Sequence, residues 1–274
     1  MKRSWAGDTY QPPLLRLPWV QQISWKPRAF VYHNFLSEAE ARHVAGMAAT
    51  SMKRSSVVGP NGSAVFDDYR TSFGTFLLRG ADPIISSIQQ RVAAWTHVPA
   101  IHQEDMQVLR YANGQYYHAH MDSLINDSPR QATVLIYLAD PIAGGETSFP
   151  QATHWADSAM PAALGPFSKC AQGKVAFRPR RGDALLFWST HPDGKTEDPF
   201  SEHEGCPVEA GVKWTATVWV HSVPFRPEEW NGTHFMRASG QVADPGLCAD
   251  TDVHCEGWAA NGECDKNPGF MRGG

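Results

Sequence analysis

Apolar positions along this chain change period several times, and each change marks an element. "AFVY", Ala29 to Tyr32, is a compact apolar and aromatic run that reads as a strand. Ser37 is followed by Glu40 at the spacing of a capping box. Ala41, Val44, Ala45 and Ala48 then recur on one side of a helix expected from about Glu38 to Thr50. "VVGPNGSAVFDDYR" gathers Gly, Pro and Asn and reads as a mobile loop, after which "SFGTFLL" resumes as a strand. "DPIISSIQQRVAAWTHV" returns to helical spacing, with Pro83 in the first turn, where its missing N–H costs nothing.

From Glu104 onward the pattern is mostly that of strands. "MQVLRYA" alternates, and "QATVLIYLA" has the length and composition of a strand buried on both faces. "GKVAFRPRRGDALLFWS" holds two strands around a turn at Arg180 to Asp183, and "KWTATVWVHSV" alternates again. Strands at regular intervals, with helices ahead of them, predict an α+β fold. Its centre is a double-sheet barrel or jelly roll (a double-stranded β-helix), with supporting helices on the outside.

Composition narrows the class. The 274 residues, 42% hydrophobic and 19% charged, suffice for one large domain with a small appendage. A net charge of -4 and the lack of a long basic run argue against nucleic acid and against an electrostatic membrane surface as partners. No apolar stretch approaches the ~20 residues that span a bilayer. The opening "MKRSW" is followed by no apolar core, so no intact secretory signal is read there.

The cysteines Cys170, Cys206, Cys248, Cys255 and Cys264 form no C-x-x-C pair, so a zinc ribbon is not expected. The last three lie in a tail too small to build a core of its own, and it would need disulfides to fold. Being odd in number, they leave at least one thiol without a partner inside the tail. The expected division is therefore a domain over 1–235 and a linker with a truncated cysteine-rich module over 236–274. Sequons at Asn61, Asn126 and Asn231, with the clustered cysteines, point to a secretory compartment.

The candidate chemistry sits in "YYHAHMDS". On an extended strand, His120 and Asp122 point the same way and offer a nitrogen and a carboxylate oxygen to one divalent metal. A non-haem iron site takes two histidines and one carboxylate and leaves positions open. The third ligand must come from elsewhere, and His191, His203 and His221 all follow or lie on expected strands. His118, two residues before His120, is a further ligand candidate, a partner of a ligand, or an exposed ring. Lys213, at a strand start, is either an ordinary solvated lysine or the partner of a dicarboxylate held beside the metal.

The motif series "VLRYANGQYYHAHMD", "RQATVLIYLADPIAGGETSFP", "GDALLFW" and "HEGCPVEAGVKWTATVW" is similar to the prolyl 4-hydroxylase family, in particular its plant and green-algal type. "SWKPRAFVYHNFLSEAEARHV" and "RTSFGTFL" extend the resemblance over roughly residues 24 to 225. The tail "CEGWAANGEC" resembles a toxin-like, ShK-like, six-cysteine module. One departure is Ala119, where family members commonly carry proline before the first ligand.

The resemblance implies an iron(II) dioxygenase that couples decarboxylation of 2-oxoglutarate, to succinate and CO₂, to hydroxylation of peptidyl proline with O₂. Ascorbate would keep the iron reduced. It makes His120, Asp122 and His203 the iron ligands and pairs Lys213 with the distal carboxylate of 2-oxoglutarate. Tyr111 would lie near the 1-carboxylate, and Tyr137 and Trp219 would line the cosubstrate pocket. Arg70, Ser72, Glu104, Tyr117, Arg130 and His221 would position a proline-rich peptide in polyproline II conformation, under a closing loop at 59–69. Cys170 and Cys206 would form a disulfide pinning the segment that bears His203. The expected compartment is the endoplasmic reticulum or Golgi lumen. Two other readings stay open at this level: the same iron chemistry on lysine or a small molecule, and a catalytically silent barrel that binds proline-rich or glycan ligands.

Overall fold

The structure, a computed structural model, describes residues 17–55, 57–58, 64–65, 70–123 and 129–230. The three sequon asparagines, the cysteine tail over 236–274 and most of the loop over 59–69 lie outside the described residues.

The first part of the chain runs β1 (Trp19–Trp25), β2 (Arg28–His33), α1 (Glu38–Ala49), β3 (Lys53–Arg54), β4 (Val57–Val58), β5 (Ala64–Val65) and β6 (Phe73–Leu77). It continues through α2 (Pro83–Thr96), β7 (Met106–Tyr111), β8 (Tyr117–His120), β9 (Arg130–Ala139), β10 (Ala143–Gly144) and β11 (Thr147–Phe149). It closes with α3 (Met160–Leu164), β12 (Val175–Phe177), β13 (Ala184–Trp188), β14 (His203–Gly205), β15 (Val208–Ala210) and β16 (Lys213–His221). A major sheet of eight strands has the order β1-β2-β13-β9-β16-β7-β6-β3, and a minor sheet of four has the order β12-β11-β14-β8. All their pairings are antiparallel.

Both helices start where their caps dictate. Ser37 accepts from the Glu40 amide while the Glu40 carboxylate accepts from the Ser37 amide, so the expected capping box is closed. The Asp82 carboxylate accepts from the Ile85 amide, and Pro83 occupies the first turn of α2. Ala41, Val44 and Ala48 of α1, with Ile85, Ile88 and Val92 of α2, face the even-numbered positions of β9, Ala132, Val134 and Ile136. They also meet Ala216, Val218 and Val220 of β16. Each fully buried Ile or Val in this layer contributes about 1.5–3 kcal/mol. The odd-numbered positions of the same strands turn toward the minor sheet. The period of two therefore commits one face to the helices and the other to the space between the sheets.

Three features go beyond what the sequence pattern shows. β1 forms the sheet edge from a stretch that shows no clean alternation. The two strands around Arg180 to Asp183 do not pair with each other: β12 joins the minor sheet and β13 the major one. The turn between them holds Gly182 at φ 87°, with its carbonyl accepting from the Leu36 amide. A Cβ there would lie 2.7 Å from the Leu36 oxygen, so glycine is required. The strands that carry β11 and β14 are three residues each, too short to show a period. Among the described residues, no helix is long and apolar enough to cross a membrane.

Candidate metal centre and cosubstrate pocket

β8 and β14 lie side by side in the minor sheet, and His120 sits directly opposite His203 in their register. Cross-strand neighbours on one face bring side chains within contact, and the two rings stand 4.3 Å apart. The pairing slips by one residue between His203/His120 and Gly205/Tyr117. This bulge puts Tyr117 and His120 on the same face although they are three apart. It also turns His118 outward, where its ring packs on Tyr116 and it lines no part of the pocket. Of the three readings open for His118, the exposed ring is the one the structure has.

Asp122 lies just past the end of β8. Its Oδ1 is 3.6 Å from His120 Nε2 and its Oδ2 is 3.6 Å from His203 Nε2. The Nδ1 of His120 donates to the His118 carbonyl, and the Nδ1 of His203 donates to the Ser201 carbonyl. Both rings are thereby set with Nε2 toward the aspartate. Burial, then the neighbouring His203, push the His120 pKa well below the usual imidazole range. Burial acts to raise the Asp122 pKa, but His203 and His120 beside it leave the carboxyl below its ordinary range. A neutral imidazole and an ionised carboxylate are what a metal ligates. The ligand atoms of His120, Asp122 and His203 lie within 4.8 Å of one another, and the donor set fits an iron(II) of the two-histidine, one-carboxylate type. His191 is exposed and His221 is buried elsewhere, so neither joins this cluster.

Across the pocket stands the major sheet. Lys213, 3% exposed, opens β16 opposite Tyr111 of β7, and its ammonium lies 5.5 Å from the Tyr111 ring. Burial lowers the Lys213 pKa from 10.5 to about 7, with Glu146 offsetting part of that shift. Thr215 Oγ1 and Trp219 Nε1, farther along the same face of β16, are buried and have no hydrogen-bond partner among the described residues. A buried ammonium, an unpaired hydroxyl and an unpaired indole N–H in one pocket fit an anionic, oxygen-rich guest such as 2-oxoglutarate. The Tyr111 hydroxyl is turned toward Arg70 and Ser72, and burial raises its pKa. Tyr137, expected to line the pocket, lies on the same face of β9 but one step behind it. Its hydroxyl donates to Thr147 Oγ1 at 2.9 Å and its ring packs on Phe177.

The residues expected to meet substrate separate into two groups. Arg70, 6% exposed, lines the pocket, stacks its guanidinium 4.6 Å from the Tyr117 ring and donates to Ser72 Oγ and Gln107 Oε1. Glu104, Arg130 and His221 instead engage one another behind Trp219. Arg130 Nη2 donates to Glu104 Oε2 at 3.0 Å, His221 Nε2 meets Glu104 Oε1 at 2.7 Å, and the Arg130 guanidinium lies 3.8 Å from the Trp219 ring. Burial acts to raise the Glu104 pKa, yet His221 and Arg130 hold it below the ordinary value. The expected disulfide joins Cys170 to Cys206, three positions beyond His203, with a Cα separation of 5.9 Å. Thr133 escaped the sequence reading: its hydroxyl donates to Asp122 Oδ2 at 2.7 Å. Its one signal was a hydroxyl on the pocket-facing parity of an otherwise apolar strand.

Comparison with known proteins agrees with this geometry. A family model described as the 2OG-Fe(II) oxygenase superfamily matches residues 106–221, and one described as ShK domain-like matches residues 247–273. Fold and site thus define a 2-oxoglutarate- and iron(II)-dependent oxygenase. The Arabidopsis thaliana proteins named Probable prolyl 4-hydroxylase 4 and Prolyl 4-hydroxylase 2 are 42% and 41% identical over 261 residues, spanning 93% of this chain and 83% of each relative. The chain belongs to the prolyl 4-hydroxylase family. A viral collagen prolyl hydroxylase from Paramecium bursaria Chlorella virus-1, solved as its 2OG complex, superposes with a TM-score of 0.53 at 25% identity, over 71% of this chain and 96% of that one.

Proposed function

We propose that this chain hydroxylates peptidyl proline to 4-hydroxyproline in proline-rich chains of the hydroxyproline-rich glycoprotein or collagen-like kind, with O₂ as oxidant and ascorbate as reductant. The observation that carries this reading is the buried His120–Asp122–His203 set facing Lys213 across one pocket, in a chain so similar to named prolyl 4-hydroxylases. Iron(II) with 2-oxoglutarate supplies the oxidising chemistry when bound.

The chain's own residues supply the rest. His120, Asp122 and His203 hold the metal, and Lys213 anchors the far carboxylate of the cosubstrate. Phe187, 4.5 Å from the His203 ring, and Leu135 give the metal's surroundings an apolar wall that excludes water. Tyr117, whose ring stacks on His120 and carries the Arg70 guanidinium, and Trp219 line the pocket, and an aromatic lining suits a polyproline II chain. The Glu104–Arg130–His221 cluster fixes the Trp219 ring from behind, which makes its part in substrate binding indirect. The Cys170–Cys206 bond supports an oxidising compartment, so we place the protein in the endoplasmic reticulum or Golgi lumen. We assign residues 1–235 to the catalytic domain and 236–274 to a linker and an appended ShK-like module.

The test is mass spectrometry of poly(L-proline) and of a Pro-Pro-Gly repeat after incubation with protein, ferrous iron, 2-oxoglutarate, ascorbate and air. One added oxygen on proline, with succinate formed, is expected from the wild type and not from a folded His203→Ala variant. Consumption of 2-oxoglutarate with neither peptide modified would discard the substrate assignment.

A further inference from the structure

Asp122 is the least supported of the three metal-site residues. His120 and His203 stand on paired strands, and each has its Nδ1 tied to a backbone carbonyl. Asp122 stands two residues past the end of β8, outside any strand. Among the described residues, the one hydrogen-bond donor to its carboxylate is the Thr133 hydroxyl, 2.7 Å from Oδ2. Thr133 is held far more firmly. It is 1% exposed and lies on β9, paired to Phe187 of β13 on one side and to Trp219 of β16 on the other. Strand geometry and β-branching restrict its rotamer, so the hydroxyl is a fixed point in the central sheet.

A carboxylate has two oxygens and can meet a metal through one or both. A metal centre that must also accept a chelating cosubstrate and a third molecule has no position to give to a second aspartate oxygen. We propose that Thr133 is a positioning residue for the metal centre. By occupying Oδ2 it presents Asp122 to the metal through Oδ1 alone and so keeps the remaining positions open. The inference rests on the metal and cosubstrate reading above, and on the hydroxyl rather than on the bulk of residue 133. It predicts that Val, which keeps the shape and β-branching but not the donor, fails where Ser succeeds.

The test uses Co(II) as a spectroscopic probe and needs no turnover. Thr133→Val is expected to weaken Co(II) binding by about 10–100-fold, the usual effect of losing a hydrogen bond to a ligand. It is also expected to weaken the visible d–d bands, because a second aspartate oxygen raises the coordination number, and to blunt their response to 2-oxoglutarate. Thr133→Ser restores affinity and spectrum, and the metal-free melting temperatures of both variants stay close to wild type. Thr133→Val binding Co(II) within twofold of wild type, with the same spectrum, overturns the proposal while leaving the metal centre standing. Failure of Thr133→Ser to restore affinity overturns it as well, since the methyl rather than the hydroxyl would then be what matters. A wild type that binds no Co(II) overturns the metal centre itself and this inference with it.

Discussion

A lysine buried among apolar and aromatic groups is costly until an anion joins it, and Lys213 measures that cost. Its pKa falls from 10.5 to about 7, chiefly through burial. The charged form is therefore penalised by about 5 kcal/mol in the cosubstrate-free fold. Because the folded pKa lies below the unfolded one, the group destabilises the fold most below pH 7, and the loss fades as pH rises through 10.5. At pH 7.5 the residual loss is at most about 4 kcal/mol. Lys213→Met removes that charge in a similar volume. The metal-free, cosubstrate-free variant should melt higher than wild type, by on the order of 10 °C at most. The same change should weaken 2-oxoglutarate binding to the Mn(II)-loaded protein by roughly 30-fold or more, since one partner of a buried charge pair is worth about 2–5 kcal/mol. Wild-type affinity should also fall about tenfold per pH unit above about 7, where binding must take up a proton. Thermal unfolding reads the first effect and calorimetric titration across pH reads the others. A variant that melts several degrees lower, or binds 2-oxoglutarate as wild type does, would refute the view that this ammonium awaits a carboxylate.

Two further outcomes follow from the same geometry. Replacing both Cys170 and Cys206 by serine opens a loop of sequence separation 36 and should cost about 3–4 kcal/mol, read as a lower urea midpoint. An unchanged midpoint would mean that the His203 segment is held by other contacts. Arg130→Met leaves Glu104 buried with His221 alone and should cost about 3–5 kcal/mol. Adding Glu104→Gln should recover much of that loss, and no recovery would show that the arginine acts through packing on Trp219 instead.

Part of this protein is written locally in the chain, and part exists only once the sheets have formed. β16 alternates over enough residues to reveal its period, β9 is marked by its length and apolar composition, and Ser37 with Glu40 and Asp82 with Pro83 carry their caps in nearby positions. Those signals need no partner from elsewhere, so the long strands of the major sheet, the outer helices and the His120–Asp122 pair were legible. The third ligand was not legible from residue patterns alone. β14 is three residues long, and the choice of His203 over His191 and His221 is made by its register against His120, which no short-range pattern encodes. The family resemblance supplied that choice, as it did the Cys170–Cys206 bond. The bulge that turns His118 to solvent, the step that sets Tyr137 behind Thr147, and the mutual capture of Glu104, Arg130 and His221 were likewise decided by tertiary pairing. So was the contact of Thr133 with Asp122, between a central strand and the end of a strand in the other sheet. Spacing within one regular segment fixes which face a side chain takes, unless a bulge set by the partner strand intervenes. What that face meets is set by strand order and register, which depend on the packing of the whole chain.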